Sequence, residues 1–298
     1  MIFDEPRARA LLQEAAAPAG IDPAGAVLLA LGQNAVFDLP AEGLVAKVGR
    51  TPGAADRAGR ELALAGWLDG AGVPVVRPAD PAVRLVREHP VTLWHRLGDP
   101  VRPARPVDLA PLLRALHALP AAPVPSVPSV PLGRRDLLAP VDDWLTAAEG
   151  HVDPADAAFL RVRKETFVTA IAELAPVLPP GPIHGDALPR NVHVTPDGPV
   201  LLDLEYMAAD LREHDLVVLA LSQDRYGVPA EEVAAFHAAY GWDVREWPGF
   251  AVLRGARETA SAAWVAQQAA GNPAARAEFR RRVDSLRDGA TDVRWFAF

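Results

Sequence analysis

The sequence predicts an α+β chain, and three observations carry that reading. Apolar runs of strand length, punctuated by glycine and proline, crowd between Val27 and Leu97. One helical stretch, Ala54 to Leu68, is inserted among them, and beyond Leu97 most of the chain has the rhythm of helices. The expectation is a small antiparallel sheet with one helix, followed by a larger and mainly helical part.

The bounds agree with one or two domains, since the chain has 298 residues. It contains no cysteine, which excludes disulfides, thiolate zinc sites and cysteine nucleophiles. Met1 to Pro6 has neither the basic nor the apolar region of a leader, and no apolar run reaches the roughly 18 to 20 residues that span a bilayer. The expected location is the cytoplasm, with no membrane partner. A formal net charge of −8 argues against nucleic acid as a partner, which would call for a basic stripe, and suits a cationic small molecule as well as an uncharged one.

In chain order, residues 7–17 are helix formers stopped by Pro18 and Gly20 and are given a packing role. Strands are expected at Val27 to Ala30, Val36 to Leu39 and Leu44 to Val48, with turns at Gly32-Gln33-Asn34-Ala35 and at residues 40–43. Lys47 stands out because only it and Lys164 are lysines among 30 basic residues. A lysine on an apolar strand supplies a compact ammonium, as a phosphate clamp requires; the alternative is a leftover surface charge. In the helix after it, Glu61 shares a stripe with Ala58, Ala65 and Leu68 and needs a partner, for which Lys47 is the candidate.

Further strands are expected at Val73 to Arg77, Val83 to Arg87 and Pro90 to Leu97. A helix at Leu109 to Leu119 places His117 at its end, and residues 120–131 are proline-rich and extended. Helices follow at Val141 to Ala148, Pro154 to Ala175, Leu211 to Ser222, Glu231 to Tyr240, Trp247 to Gln268 and Ala274 to Arg287. The aromatic tail Arg294 to Phe298 is expected to dock. Asp142, Asp143, Glu149, Glu231, Glu232 and Glu258 could line an acidic pocket or simply face solvent.

The chemistry is concentrated between Ile183 and Tyr206. Thr195-Pro196-Asp197-Gly198 is a turn signal between apolar runs at Val192 to Val194 and Val200 to Leu204, which therefore read as a hairpin. Folding there brings Asn191 opposite Asp203 within a residue of register. Strand alternation would point Asp203 and Glu205 one way, and Leu202 and Leu204 into a core. With the carboxylate of His184-Gly185-Asp186 upstream, the donors are all oxygen, which suits Mg²⁺ and phosphate chemistry rather than redox or acyl chemistry. No P-loop, H-E-x-x-H or G-x-S-x-G motif is present.

His184-Gly185-Asp186 with Asn191, then Asp203-Leu204-Glu205, resembles the H-G-D-x-x-x-x-N and D-x-D/E motifs of the aminoglycoside phosphotransferase family, whose fold is shared with protein kinases and choline kinases. Where that family has glycine before its next aspartate, this chain has Ala209-Asp210, followed by His214-Asp215. The resemblance implies a bilobal protein-kinase-like fold, with a nucleotide-binding lobe and hinge over residues 1–97. Residues 98–298 would form the lobe of the catalytic loop, metal site and acceptor site.

It further implies Asp186 as the catalytic base, braced by His184, with Asn191 and Asp203 on Mg²⁺ and Glu205 as a further metal group. The cofactor would be ATP or GTP, held by the Lys47–Glu61 pair, by the turn of Gly32 and Asn34, and by main chain of a hinge at Leu93, Trp94 and His95. Trp94 would flank the base or pack between lobes. The reading is a small-molecule kinase whose hydroxyl acceptor is an aminoglycoside-type antibiotic or, alternatively, a metabolite such as choline, homoserine or a sugar. A nucleotide-binding pseudo-kinase is the rival from another class, opposed by the competent residues at the polar site positions. Monomer and dimer both remain open.

Overall fold

The computed structural model of the chain describes residues 3–120 and 132–296. Most of the proline-rich segment, at 121–131, and the last two tail residues therefore lie outside the described residues. The chain groups into two compact units, one of residues 3–104 with 190–206, the other of 105–120, 132–189 and 207–296.

In the first unit, α1 (Glu5–Ala16) starts on Asp4, whose carboxylate accepts from Arg7 N at 3.0 Å. Then come β1 (Val27–Leu31), β2 (Asn34–Leu39), β3 (Leu44–Gly49), α2 (Ala55–Gly70), β4 (Arg84–Val86) and β5 (His89–His95). The strands form an antiparallel sheet in the order β1-β2-β3-β5-β4. Alternation fixes its faces: Ala35, Phe37 and Leu39 of β2, with Ala46 and Val48 of β3, pack against Leu11, Leu12 and Ala15 of α1. Burying such side chains contributes about 1.5 to 3 kcal/mol for each large one. The other face carries Val36, Lys47 and Thr92, aligned across three strands.

Two expected strands change. Val73 to Arg77 does not join the five-stranded sheet, because Pro74 and Pro78 lack N–H groups and cannot sustain a ladder. It runs instead beside β8 (Gly198–Leu201), with Leu201 N on Pro74 O at 2.9 Å and Val76 N on Leu201 O at 3.0 Å. Val83 to Arg87 shortens to β4, since Arg87 (φ 48°) and Glu88 (φ 67°) form a left-handed two-residue turn into β5. The unit is completed by β7 (Val192–Thr195), which pairs with β8 about the expected turn, Thr195 opposite Gly198.

The second unit holds α3 (Pro106–His117), α4 (Val141–Ala147), α5 (Pro154–Ala172), α6 (Glu213–Tyr226), α7 (Ala230–Tyr240), α8 (Phe250–Ala266) and α9 (Pro273–Arg287). Two short strands, β6 (Gly181–Ile183) and β9 (Ala208–Asp210), pair antiparallel. Helix ends follow proline: α5 stops before Ala175, which precedes Pro176, and α8 starts after Trp247, extended ahead of Pro248. A core of Leu145, Leu160, Ala260, Phe279 and Val283 takes in Trp295. The described part of the tail thus docks, with the guanidinium groups of Arg225 and Arg282 at 4.5 and 4.9 Å from the Trp295 ring.

Candidate active site

The sheet face opposite α1 opens into a cleft within the first unit, lined by Asn34, Lys47, Arg50, Arg57, Glu61 and Glu205 among others. Lys47 lies on β3 opposite Val36 and Thr92, and its Nζ meets Glu61 Oε1 of α2 at 2.6 Å. The same ammonium sits 5.1 Å from the ring of Trp94, whose Nε1 donates to Thr92 Oγ1 at 2.9 Å. Trp94 is buried. It therefore packs within its own unit, under the ammonium.

The hairpin ends differently from the alternation argument. Strand β8 stops at Leu201, Asp203 takes a left-handed φ of 57°, and Leu204–Tyr206 is a single 3₁₀ turn. Asp203 and Glu205 are therefore not two steps of one strand. Register runs as expected to within one residue, since Leu202 N donates to Asn191 O at 2.9 Å. A non-glycine residue held left-handed costs free energy that surrounding structure must offset, and such residues cluster at functional sites.

Glu205 accepts from Arg57 Nη1 at 3.1 Å. Burial pushes the Glu205 carboxyl above the ordinary range; Arg57 opposes this, while the charges of Asp203 and Glu61 push it further up. A divalent cation would relieve that repulsion, and the donors of Asn191, Asp203 and Glu205 are all oxygen, so these residues fit a hard cation. Among the described residues no cluster of three or more His, Asp or Glu side chains closes around one point. Magnesium is usually completed by water and substrate phosphates.

In the second unit, β6 leads into His184-Gly185-Asp186. Gly185 has φ 81°, a conformation that glycine adopts without steric cost. The loop's amides are gathered by Asp215 in the first turn of α6, whose oxygens accept from His184 N at 2.7 Å and Gly185 N at 2.8 Å. His117, the last residue of α3, adds its Nε2 at 3.1 Å from Asp215 and places Nδ1 at 2.8 Å from the Tyr240 hydroxyl. Burial alone would raise the Asp215 carboxyl, but the hydrogen bond and charge of His117, with His184, hold it below the usual range. Burial and the Asp215 charge push the Tyr240 phenol up to about 12. His184 Nδ1 lies 3.3 Å from Asp186 N, and Asp186 Oδ1 lies 3.1 Å from Nη2 of Arg257 on α8.

The expected hinge residues fall in a strand. Leu93, Trp94 and His95 lie inside β5, paired with Ala46, Val45 and Leu44. On the other side Leu93 O accepts from Ala79 N and His95 N donates to Arg77 O, both at 2.9 Å. The sheet thus engages Leu93 O and His95 N. The acidic-pocket candidates are also reduced: Glu258 is buried against Arg225 at 2.7 Å, Asp142 meets Lys164 at 2.5 Å and Glu149 lies 3.9 Å from Arg161. Gly32 sits in the exposed β1–β2 turn, its N bonded to Asn34 O at 3.0 Å.

Sequence reasoning missed Arg57, Arg257 and the bracing role of His117. Their partners lie 148, 71 and 98 residues away, and no local spacing signals such pairs.

Against known proteins, a profile of the phosphotransferase enzyme family matches residues 27–255. No curated protein matches the sequence. Similar solved structures include an amicoumacin kinase in complex with AMP-PNP and Ca²⁺, at TM-score 0.72 and 15% identity, covering 98% of each chain. A choline/ethanolamine kinase family protein from Mesorhizobium loti gives TM-score 0.65 and 21% identity over 96% of this chain and 94% of that one. An aminoglycoside phosphotransferase in complex with GDP and kanamycin gives 0.65 and 14% over 96% and 100%. At these identities the likeness is one of fold, an α+β protein-kinase-like architecture.

Proposed function

Because the chain belongs to the phosphotransferase enzyme family, we propose that it transfers the γ-phosphate of ATP or GTP, with Mg²⁺, to a hydroxyl of a small molecule. The observation that carries the reading is the Lys47–Glu61 contact of 2.6 Å inside a cleft that also holds Glu205 and Arg57. An ammonium fixed by a carboxylate on an apolar sheet face is placed to neutralise phosphate oxygens.

Asn191, Asp203 and Glu205 would hold Mg²⁺, which supplies charge neutralisation at the phosphates. Asp186 would take the proton of the acceptor hydroxyl, and His184 would keep the loop that presents it. The nucleotide base would be met by main chain at the end of β5, where Leu93 O and His95 N are already engaged in the sheet.

The acceptor is an aminoglycoside-type antibiotic or, alternatively, a metabolite hydroxyl. Of the acidic side chains that could attract a polycation, Glu258, Asp142 and Glu149 already face Arg225, Lys164 and Arg161. The test is nucleotide turnover with ATP and GTP across choline, homoserine, sugars and aminoglycosides. Phosphate transfer to one of these supports the reading. Tight nucleotide binding without turnover on any acceptor would instead mark a non-catalytic binding module.

A further inference from the structure

The geometry points to Arg257 as a positioning residue for Asp186, one that holds its carboxylate in place on the loop. This rests on the reading of Asp186 as the acceptor-facing base. Arg257 Nη2 approaches Asp186 Oδ1 to 3.1 Å, and the two side chains are only 15% and 16% exposed. Coulomb attraction at that distance is screened far less than on an open surface. Arginine keeps its charge throughout the working pH range, so it acts on Asp186 as a constant field.

The helix that carries Arg257 is held on either side of it. At Gly255 an added Cβ would collide with the ring of Phe167 on α5, so glycine there lets α5 and α8 approach closely. One residue beyond Arg257, Glu258 is buried on Arg225, and Arg254 reaches Asp224 at 2.8 Å. An arginine so mounted has little freedom to leave the loop, which Asp215 fixes in turn through two amides.

Asp210, Asp215, Arg135 and Arg257 are the charged groups that act on His214. His214 is held neutral by burial, its pKa lowered to about 4, with Asp210 opposing and the Arg257 charge assisting that shift. His214 therefore cannot replace the Arg257 cation at neutral pH.

Three variants test this: Arg257→Gln, which removes the charge, Arg257→Lys, which keeps it, and Asp186→Asn. The first readout is the melting temperature of each ligand-free variant, which shows that it folds. Arg257→Lys is expected to recover most of what Arg257→Gln loses in turnover. The second readout is turnover of the acceptor found in the screen, where Arg257→Gln should lower kcat at least about tenfold with nucleotide KM unchanged.

Unchanged turnover in a folded Arg257→Gln protein, or loss of activity equal in the Gln and Lys variants, overturns the positioning role. If Asp186→Asn retains full turnover, the assignment of the base fails instead, so the two failures are told apart.

Discussion

In the first unit's cleft, charge meets charge side chain to side chain: Lys47 on Glu61 at 2.6 Å and Arg57 on Glu205 at 3.1 Å, with the Arg57 side chain 61% exposed. In the second unit's loop, a fully buried carboxylate, Asp215, instead gathers main-chain amides of His184 and Gly185 and the ring of His117. The exposed Arg57 can exchange partners when a ligand arrives, because water and the ligand can replace what is lost, while Lys47 stays seated on Glu61. The Asp215 arrangement is a fixed frame, since nothing else can satisfy buried amides. The teaching is that one region is built to be rearranged and the other to be held still.

Substitutions that separate the two regions sharpen this contrast. The largest effect is expected on turnover from Asp186→Asn, since a general base contributes about 10² to 10⁴ in rate. Steady-state kinetics should show kcat falling by that range with nucleotide affinity within a few-fold. A variant within about tenfold of the parent would give the proton to another group.

Asp215→Ala comes next and acts on the frame itself. It strips partners from two buried amides and from His117, and breaking a buried pair of this kind costs about 3 to 5 kcal/mol. Urea denaturation should report that loss. The pH sign follows from the lowered folded pKa. The Asp215 contribution is full above the unfolded pKa, near 4, and disappears as pH falls through the lower folded value. A stability profile with no extra acid sensitivity relative to Asp215→Ala would contradict the assignment.

Lys47→Arg is intermediate. The wide planar guanidinium keeps the charge but not the compact ammonium seated between Glu61 and the Trp94 ring. Nucleotide use should weaken by about one to two orders of magnitude, roughly 1.4 to 3 kcal/mol, with the melting temperature of the ligand-free protein nearly unchanged. Normal turnover would remove Lys47 from the phosphate site.

These expectations also show which parts of the molecule could be read from sequence. The turn at Thr195 to Gly198 was legible because proline and glycine there demand specific φ values, and Lys47 was legible because the chain otherwise prefers arginine. The partner of Glu61 followed from a carboxylate placed on an apolar helical stripe. Asp203 was misplaced on a strand because nothing local announces a left-handed aspartate. The bonds that Leu93 and His95 make to residues 79 and 77 were not legible, because a strand's second neighbour depends on what packs beside it. Arg257 and His117 were silent because their roles come from partners brought close only by packing.

The smallest effect is expected from Arg57→Ala, and it tests the exchangeable side of the comparison most directly. The pair with Glu205 is geometrically good at 3.1 Å, but the Arg57 side chain is 61% exposed. Water takes up much of the interaction, salt screens the rest, and fixing a long side chain costs entropy, so exposed pairs contribute about 0.2 to 1 kcal/mol. Denaturation of Arg57→Ala should therefore stay within about 1 kcal/mol of the parent, and the difference should shrink as ionic strength rises. Loss of more than about 2 kcal/mol, undiminished at high salt, would mean that the cleft's pairs are held as rigidly as the Asp215 frame. The distinction between a region built to exchange partners and one built to keep them would then fall.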